Sequence, residues 1–440
     1  IIWGKDPLVS NPDGMFGHAV VDLMKRGTEL IVIDPRVNWL ASRAKYHLQV
    51  RPGTDTALAL AMLNVIINEE LYDKDFVDKW CYGFEELKEA VAEMTPARAA
   101  EISWAPEEKI TEIARILGRN KPWAMQWGLP VDQSKHGVST SLALGALVAI
   151  TGNVDIPGGN ALVTKGYVQA DFRAALLRQL DEKIFADRLG NEDSPLRKYG
   201  YINQSFPDAL LRAIETEKPY PIKMLHISST NTFANMGAEA HRVLNAMKKV
   251  DFIVVADLFI TPTAVACADI LLPVAMSPER MGIRAWWNPL RSITKVIEPL
   301  GEAKSDETIA LDLVRRLNPE NAPWKDEKEF TDYCMANLQS AKFDGTYDDL
   351  VRKVDDWIPF EYRKYEKGLL RPDGEVGFNT PTGKIELKVT QLEQFGYPAL
   401  PYYQEPTESP VSTPELMKEY PFVLTTGQRS FEFFHSEHRQ

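Results

Sequence analysis

The sequence predicts an α/β protein with two related doubly wound domains, and three observations lead there. The first is the opening stretch: Ile1-Ile2-Trp3 stops at Gly4-Lys5-Asp6-Pro7, and Leu30-Ile31-Val32-Ile33 ends in Asp34-Pro35-Arg36. Between them His18–Lys25 carries apolar residues at helical spacing (Val20, Val21, Met24), closed by Gly27. That is a βαβ unit, whose ligand side is the carboxyl end of its strands. The second is a later stretch with the same grammar: Ile222–Ile227 a strand, Ser228–Asn235 its polar loop, Ala238–Lys248 a helix, Phe252–Ala256 a strand ending in Asp257. The third is the short strand Ala268–Pro273 after it.

Between these units, Arg51-Pro52-Gly53-Thr54-Asp55 leads into a helix over Ala57–Glu70, read as amphipathic and capped by Thr54 or Asp55. Residues 73–120 read as helices, including Asp73–Trp80, Phe84–Met94 and Pro106–Leu117. Trp123–Gly128 reads as a strand entering the polar loop Asp132–Gly137, with the small-residue helix Ser139–Thr151 after it. Gly152-Asn153 and Pro157-Gly158-Gly159 suggest a flexible crossing out of the first domain near residue 160. The second domain then spans 161–300, with 278–300 extended or looped, and a helical connecting region spans 301–400. There Glu302–Asn318 is a helix capped by Ser305 or Asp306, and Asn379–Lys384 a turn before a strand Ile385–Leu387. Five prolines in 398–420 read as a linker to a further domain, which the apolar run Phe422-Val423-Leu424-Thr425 opens.

Composition excludes several functions. Forty-four per cent apolar residues in 440 suffice for two to four cores, and a net charge of −12 argues against a nucleic-acid partner. Cys81, Cys267 and Cys334 are too far apart to supply a thiolate cluster, and no apolar run of membrane-spanning length occurs. The chain opens without Met and closes just after a strand, so it is expected to be an internal piece of a larger protein. No Gly-x-Gly-x-x-Gly, Walker A or Gly-x-Ser-x-Gly pattern is present. His435 and His438 have a spacing that could share a metal, but alone they are a weak signal. His136 in the polar loop is the better candidate for proton chemistry, against the ordinary alternative of a histidine bonded to backbone.

Seven motifs then occur in a fixed order. They are Trp3-Gly4-Lys5-Asp6-Pro7, Ile33-Asp34-Pro35-Arg36, Arg51–Asp55, Thr151-Gly152-Asn153 with Pro157-Gly158-Gly159, Ala268–Pro273, Thr382–Glu386 and Thr425-Thr426-Gly427-Gln428-Arg429. Together they resemble the molybdopterin oxidoreductase (DMSO reductase) family over essentially the whole chain. The wording around Trp127–Asn160 is nearest the family's anaerobic branch, where non-redox hydration or transhydroxylation also occurs.

The resemblance implies a catalytic subunit with molybdenum or tungsten on two pyranopterin guanine dinucleotides, performing two-electron or oxygen-atom-transfer chemistry on a small substrate. It implies one dinucleotide for each α/β domain, and a barrel-like pterin-binding domain beginning at 415–440. Trp3, Gly4, Lys5 and Asp6 map to the pyrophosphate loop, although Lys5-Asp6 departs from the family's usual small residue and Asn. Asp34, Pro35 and Arg36 map to ribose and phosphate contacts. Asp55 maps to a guanine-binding carboxylate, with Thr54 beside it and Gly53 making room. Gly128 and Gln133 map to the pterin side, with His136 and the pair Trp286-Trp287 as candidates for the substrate funnel. Asn231, Asp257, Arg280 and Asp306 map to the second dinucleotide, and Thr426, Gly427, Arg429, His435 and Ser436 to the last domain's turn. The metal's own ligand and the cysteines of a 4Fe–4S cluster are expected upstream of residue 1. The implied partner is an iron–sulfur electron-transfer subunit, with any membrane contact made through it. Twin-arginine export to an extracytoplasmic site is favoured over the cytoplasm. A non-catalytic relative and an ordinary nucleotide-binding α/β protein are the rival readings.

Overall fold

The computed structural model describes residues 1–10, 15–162, 167–168, 182–191, 193, 205–236, 239–287, 289–336 and 343–424. Contacts divide the chain into two compact units, Ile1–Leu162 with Glu361–Gln440, and Val163–Phe360.

In the first unit, β1 (Ile2–Trp3) is buried at the centre of a parallel sheet. A helix, α1 (Met15–Lys25), leads to β2 (Ile31–Ile33), and β3 (Tyr46–Leu48) pairs on its far side. The chain then crosses back to place β4 (Gln126–Trp127) on the other side of β1, giving the order β3-β2-β1-β4. The strand order therefore reverses between β1 and β4. In open α/β sheets that switch point, at the carboxyl ends of the strands, is where a ligand crevice forms.

Helix α2 (Asp55–Asn68) is buried from Asp55 through Ile67. The sequence suggested an amphipathic helix, but Leu58, Leu60, Met62, Leu63 and Ile66 point all round its axis, and none is more than 2% exposed. A helix apolar on every side belongs inside a core. Here helices Pro96–Ser103, Glu107–Arg119 and α3 (Gly137–Ile150) surround it.

The expected flexible crossing is instead a clasp. Asn153 has no exposed surface; its Oδ1 accepts the Trp123 amide at 2.9 Å, and its Nδ2 donates to Thr151. Asn160 Oδ1 accepts the Met125 amide at 3.0 Å, so the two asparagines hold the strand that leads into β4. Between them Asp155, at φ 54 and fully buried, meets Lys364 of the returning chain at 2.6 Å. Its other oxygen accepts the Lys364 amide at 2.8 Å.

Residues 361–424, expected to be connecting region and linker, pack on this unit. Ile385–Glu386 pairs in parallel with Cys81–Tyr82. The Arg51 guanidinium, 1% exposed as a side chain, donates to both oxygens of Glu405 at 2.6 and 2.9 Å. Among the described residues, Phe422, Val423 and Leu424 are not in a strand, and all three are exposed.

In the second unit, β5 (Met224–Ser228), helix α4 (Ala240–Met247), β6 (Phe252–Asp257) and β7 (Ile270–Pro273) form a parallel sheet in the order β5-β6-β7. Its core gathers Ile227, Val243, Met247, Ile253 and Val255. The 278–300 stretch is a hairpin, Gly282–Trp287 against Leu290–Ile293, with Trp286-Trp287 at the end of its first strand.

Breaking a buried pair by removing one partner strands the other charge and costs about 3–5 kcal/mol. Lys364→Met is expected to lower stability by that amount in denaturant unfolding of the full chain. Lys74→Ala, which removes a surface pair with Glu70, should change it by less than about 1 kcal/mol. Equal small effects would show that Asp155 does not need its partner.

Hydrogen bonding to Arg51 holds the Glu405 carboxyl down to about 2 from an ordinary 4.5. A depressed folded-state value adds stability that is complete above 4.5 and is lost as pH falls toward 2. Over that window the unfolding midpoint of the wild type should fall more steeply than that of Glu405→Gln; parallel curves would rule the linkage out.

Candidate functional site at the strand ends

At the switch point two glycines meet. Gly4 turns the chain out of β1 at φ 55, and its amide donates to Ile33 O at 2.8 Å. Gly128, just after β4, donates to Trp3 O at 3.0 Å, and a Cβ built on it would lie 2.2 Å from Gly4 O. Only a residue without a side chain allows this approach. Lys5 and Asp6 emerge beside it. Burial lowers the Lys5 ammonium, which lies 4.9 Å over the Phe16 ring. Burial likewise raises the Asp6 carboxyl, with Arg36 opposing it.

The end of β2 is tied to itself. Asp34 is 3% exposed; its Oδ1 accepts the Arg36 amide at 2.8 Å and lies 3.5 Å from Arg36 Nε. The Pro35 carbonyl accepts Gln49 Nε2 at 3.1 Å, and the Asp34 carbonyl contacts His47 Nε2 at 2.9 Å.

Gly53 in the next loop lies at φ 82, and a Cβ there would fall 2.8 Å from Pro406, so a side chain at this position would meet the returning chain. Thr54 Oγ1 donates to Arg51 O at 2.7 Å, tightening the turn rather than capping α2. Asp55 is buried, with Oδ1 accepting Trp3 Nε1 at 2.7 Å. Burial pushes its carboxyl up even so. One oxygen is thus engaged inside the unit, and Asp55 joins β1 to α2.

Beyond β4, Gln133 is exposed at the end of the short helix Leu129–Asp132. His136 precedes α3; burial, then Lys135, lowers its imidazole, and its Nε2 is buried with no partner. Gln126 Oε1 in β4 is a second buried acceptor without one.

The second unit shows a matching strand end. Asp257, 7% exposed, closes β6, and its Oδ1 accepts the Phe259 amide at 3.1 Å. Like Asp34, it is an acid at a parallel strand end that bonds the amide two residues on. Asn231 Oδ1 accepts Thr263 Oγ1 at 2.6 Å and the Thr263 amide at 3.2 Å, so it fastens the loop after β5. Asp306 begins a helix capped by Ser305, and its Oδ1 accepts Ser228 Oγ at 2.9 Å. Arg280 lies 3.8 Å from Glu307, on a cavity of about 610 Å³ that Glu327 also lines. Burial raises Glu327, whose Oε1 has no partner.

Thr426, Gly427, Arg429, His435 and Ser436 lie outside the described residues. Among the described residues no three His, Cys, Asp or Glu side chains gather to hold a metal. Sequence reasoning missed Glu405 and Pro406, because nothing local in a proline-rich stretch marks a contact 354 residues away.

The molybdopterin oxidoreductase family model matches residues 1–316. The chain is 35% identical to acetylene hydratase of Syntrophotalea acetylenica over 95% of its length and 59% of that protein's. It is 30% identical to the F420-dependent formate dehydrogenase subunit alpha of Methanocaldococcus jannaschii, over 98% of its length and 61% of the relative's. The solved acetylene hydratase from Pelobacter acetylenicus shares the fold over the entire chain and 62% of its own, at 30% identity and a TM-score of 0.85. The chain thus spans about three fifths of the length of these relatives. By the family match, the chain belongs to the molybdopterin oxidoreductases.

Proposed function

We propose that this chain is the dinucleotide-gripping part of the catalytic subunit of a molybdenum or tungsten oxidoreductase acting on a small substrate. The observation that supports the proposal is the close approach of Gly4 and Gly128 at the ends of β1 and β4, beside Lys5 and Asp6 and next to the β2 end that carries Asp34 and Arg36.

The residues present fit a pterin dinucleotide. Lys5 and Arg36 can neutralise a pyrophosphate, and the Gly4 turn lets backbone approach it. Carboxylates would repel phosphate, but they suit the hydroxyls of ribose and the N–H groups of guanine. Asp34 and Asp257, alike in burial and in their bond to the amide two residues on, are the matching acids of the two units. Asp55, whose Oδ1 accepts Trp3 Nε1, is the candidate acid for the guanine N–H groups. Gln126 Oε1 and His136 Nε2, buried and without partners, flank Gly128 in the chain and can accept from or donate to the pterin. His136, whose imidazole burial and then Lys135 lower, is the candidate to hold a proton at Nε2 for the substrate. When bound, the group supplies two-electron chemistry at its metal.

The 35% identity to acetylene hydratase supports a second reading, hydration on the same cofactor without net redox change. The same proposal includes a 4Fe–4S cluster, an iron–sulfur partner subunit and extracytoplasmic export, which copurification and cell fractionation test.

Metal and nucleotide analysis of the full-length protein, made anaerobically, should find molybdenum or tungsten with two guanine nucleotides per metal atom. A preparation with neither would sink the proposal. Gly128→Ala forces its Cβ against Gly4 O, so it should reduce guanine nucleotide content several-fold; unchanged content would show that the crevice does not hold the cofactor.

A further inference from the structure

The stretch Tyr402–Ser409 touches two loops of the candidate site that are far apart in sequence. On one side Glu405 holds the buried Arg51 guanidinium, Ser409 Oγ donates to Glu405 Oε1 at 2.5 Å, and Pro406 covers Gly53. On the other, Ser139 Oγ donates to Tyr402 O and accepts the Tyr402 amide, both at 2.7 Å. Lys135 Nζ adds a bond to Thr407 Oγ1 at 3.0 Å.

We propose that Tyr402–Ser409 is a positioning strap that sets the Arg51–Asp55 loop and the Lys135–Ser139 turn relative to each other. Glu405 and Ser139 are its two anchors. That these loops serve a bound cofactor rests on the proposed function.

Each anchor resists slipping for a stated reason. Arg51 also donates through Nε to Ile102 O at 2.7 Å and through its amide to Ser103 O, so its side chain cannot follow the strap outward. Were Glu405 to leave, the guanidinium would remain buried without its counter-charge. Ser139 uses one hydroxyl as donor and acceptor to the same residue, which fixes both the position and the direction of the strap backbone. The Arg51 carbonyl accepts from both the amide and the hydroxyl of Thr54, so the anchor's position passes directly to the residue before Asp55. At the other anchor His136, with its unpartnered Nε2, stands one turn before Ser139.

Coupling between two sites is reciprocal, and hydrogen exchange on the full-length protein reads it. Ser139→Ala should speed exchange in peptides covering Gly53–Asp55 roughly threefold or more, although the bonds its hydroxyl makes to the strap go to Tyr402. Glu405→Gln should speed exchange in peptides covering 135–140, and Ser139→Thr, which keeps the hydroxyl, should restore the wild-type rate at Gly53–Asp55. Acceleration confined to each variant's own loop would overturn the strap. If Glu405→Gln does not fold, Ser139→Ala and Thr407→Val decide by the same criterion. Guanine nucleotide content, measured on the same preparations, keeps the two ideas apart. A wild type without nucleotide would remove the proposed function, while the exchange pattern would still uphold or overturn the strap.

Discussion

Asp155 is a carboxylate with no exposed surface, and the first unit depends on how its charge is met. The chain leaves this unit at Leu162 and rejoins it at Glu361, so its core contains a gap in sequence that only tertiary contacts can close. Lys364 closes it with an ammonium and a backbone amide on the two oxygens of one carboxylate. The left-handed turn at Asp155 is unusual for a residue with a side chain, and such strain persists where surroundings over-determine it. Here the Lys364 contacts, the Leu162 amide and the Asn153–Asn160 clasp all agree on the same conformation. Once the returning segment is seated there, it continues to Cys81–Tyr82 and then to Arg51. The stretch that Lys364 begins is thus the same one that brings Glu405 to Arg51.

The site itself is a consequence of strand order. Two strands whose connections run in opposite directions leave a cleft between their ends, and the side chains there need no place in the core. At this switch point Gly4 and Gly128 bring backbone against backbone. Charge of both signs is then placed close together. Burial raises Asp6 and Asp55, while Arg36 lies beside Asp34 and opposes the rise at Asp6. A crevice with carboxylates and cations intermixed suits a ligand that has both anionic phosphates and N–H or O–H donors, and suits a simple anion poorly.

Much of this was legible from residue pattern, and the exceptions share a cause. The strands around Ile31–Ile33 and Phe252–Asp257 stood out because continuous β-branched runs ended in Gly, Pro or Asp. Helix α2 was located, but its surroundings were not, since periodicity reports a helix and not how many of its faces are covered. Asp155–Lys364 and Arg51–Glu405 were invisible, because one sequence shows no pairing across 209 or 354 positions. The proline-rich stretch 398–420 looked like a linker for the same reason. Proline limits regular structure, but it does not prevent side chains such as Tyr403 and Glu405 from packing. Asp55 was noticed as an acid, while its use by Trp3 depended on a contact between two elements.

The two units repeat a local device more closely than their sequences suggest. In each, an acid ends a parallel strand, is nearly buried, and accepts the amide two residues on. That bond turns the chain sharply, a role short acidic side chains take readily because they can reach their own backbone. It also orients the carboxylate, so the remaining acceptor positions project in a direction the strand has set. The neighbours differ: Arg36 stands two residues after Asp34, and the half-exposed ring of Phe259 two residues after Asp257. The paired strand ends therefore repeat one turn with different neighbours, a cation at one and an aromatic ring at the other.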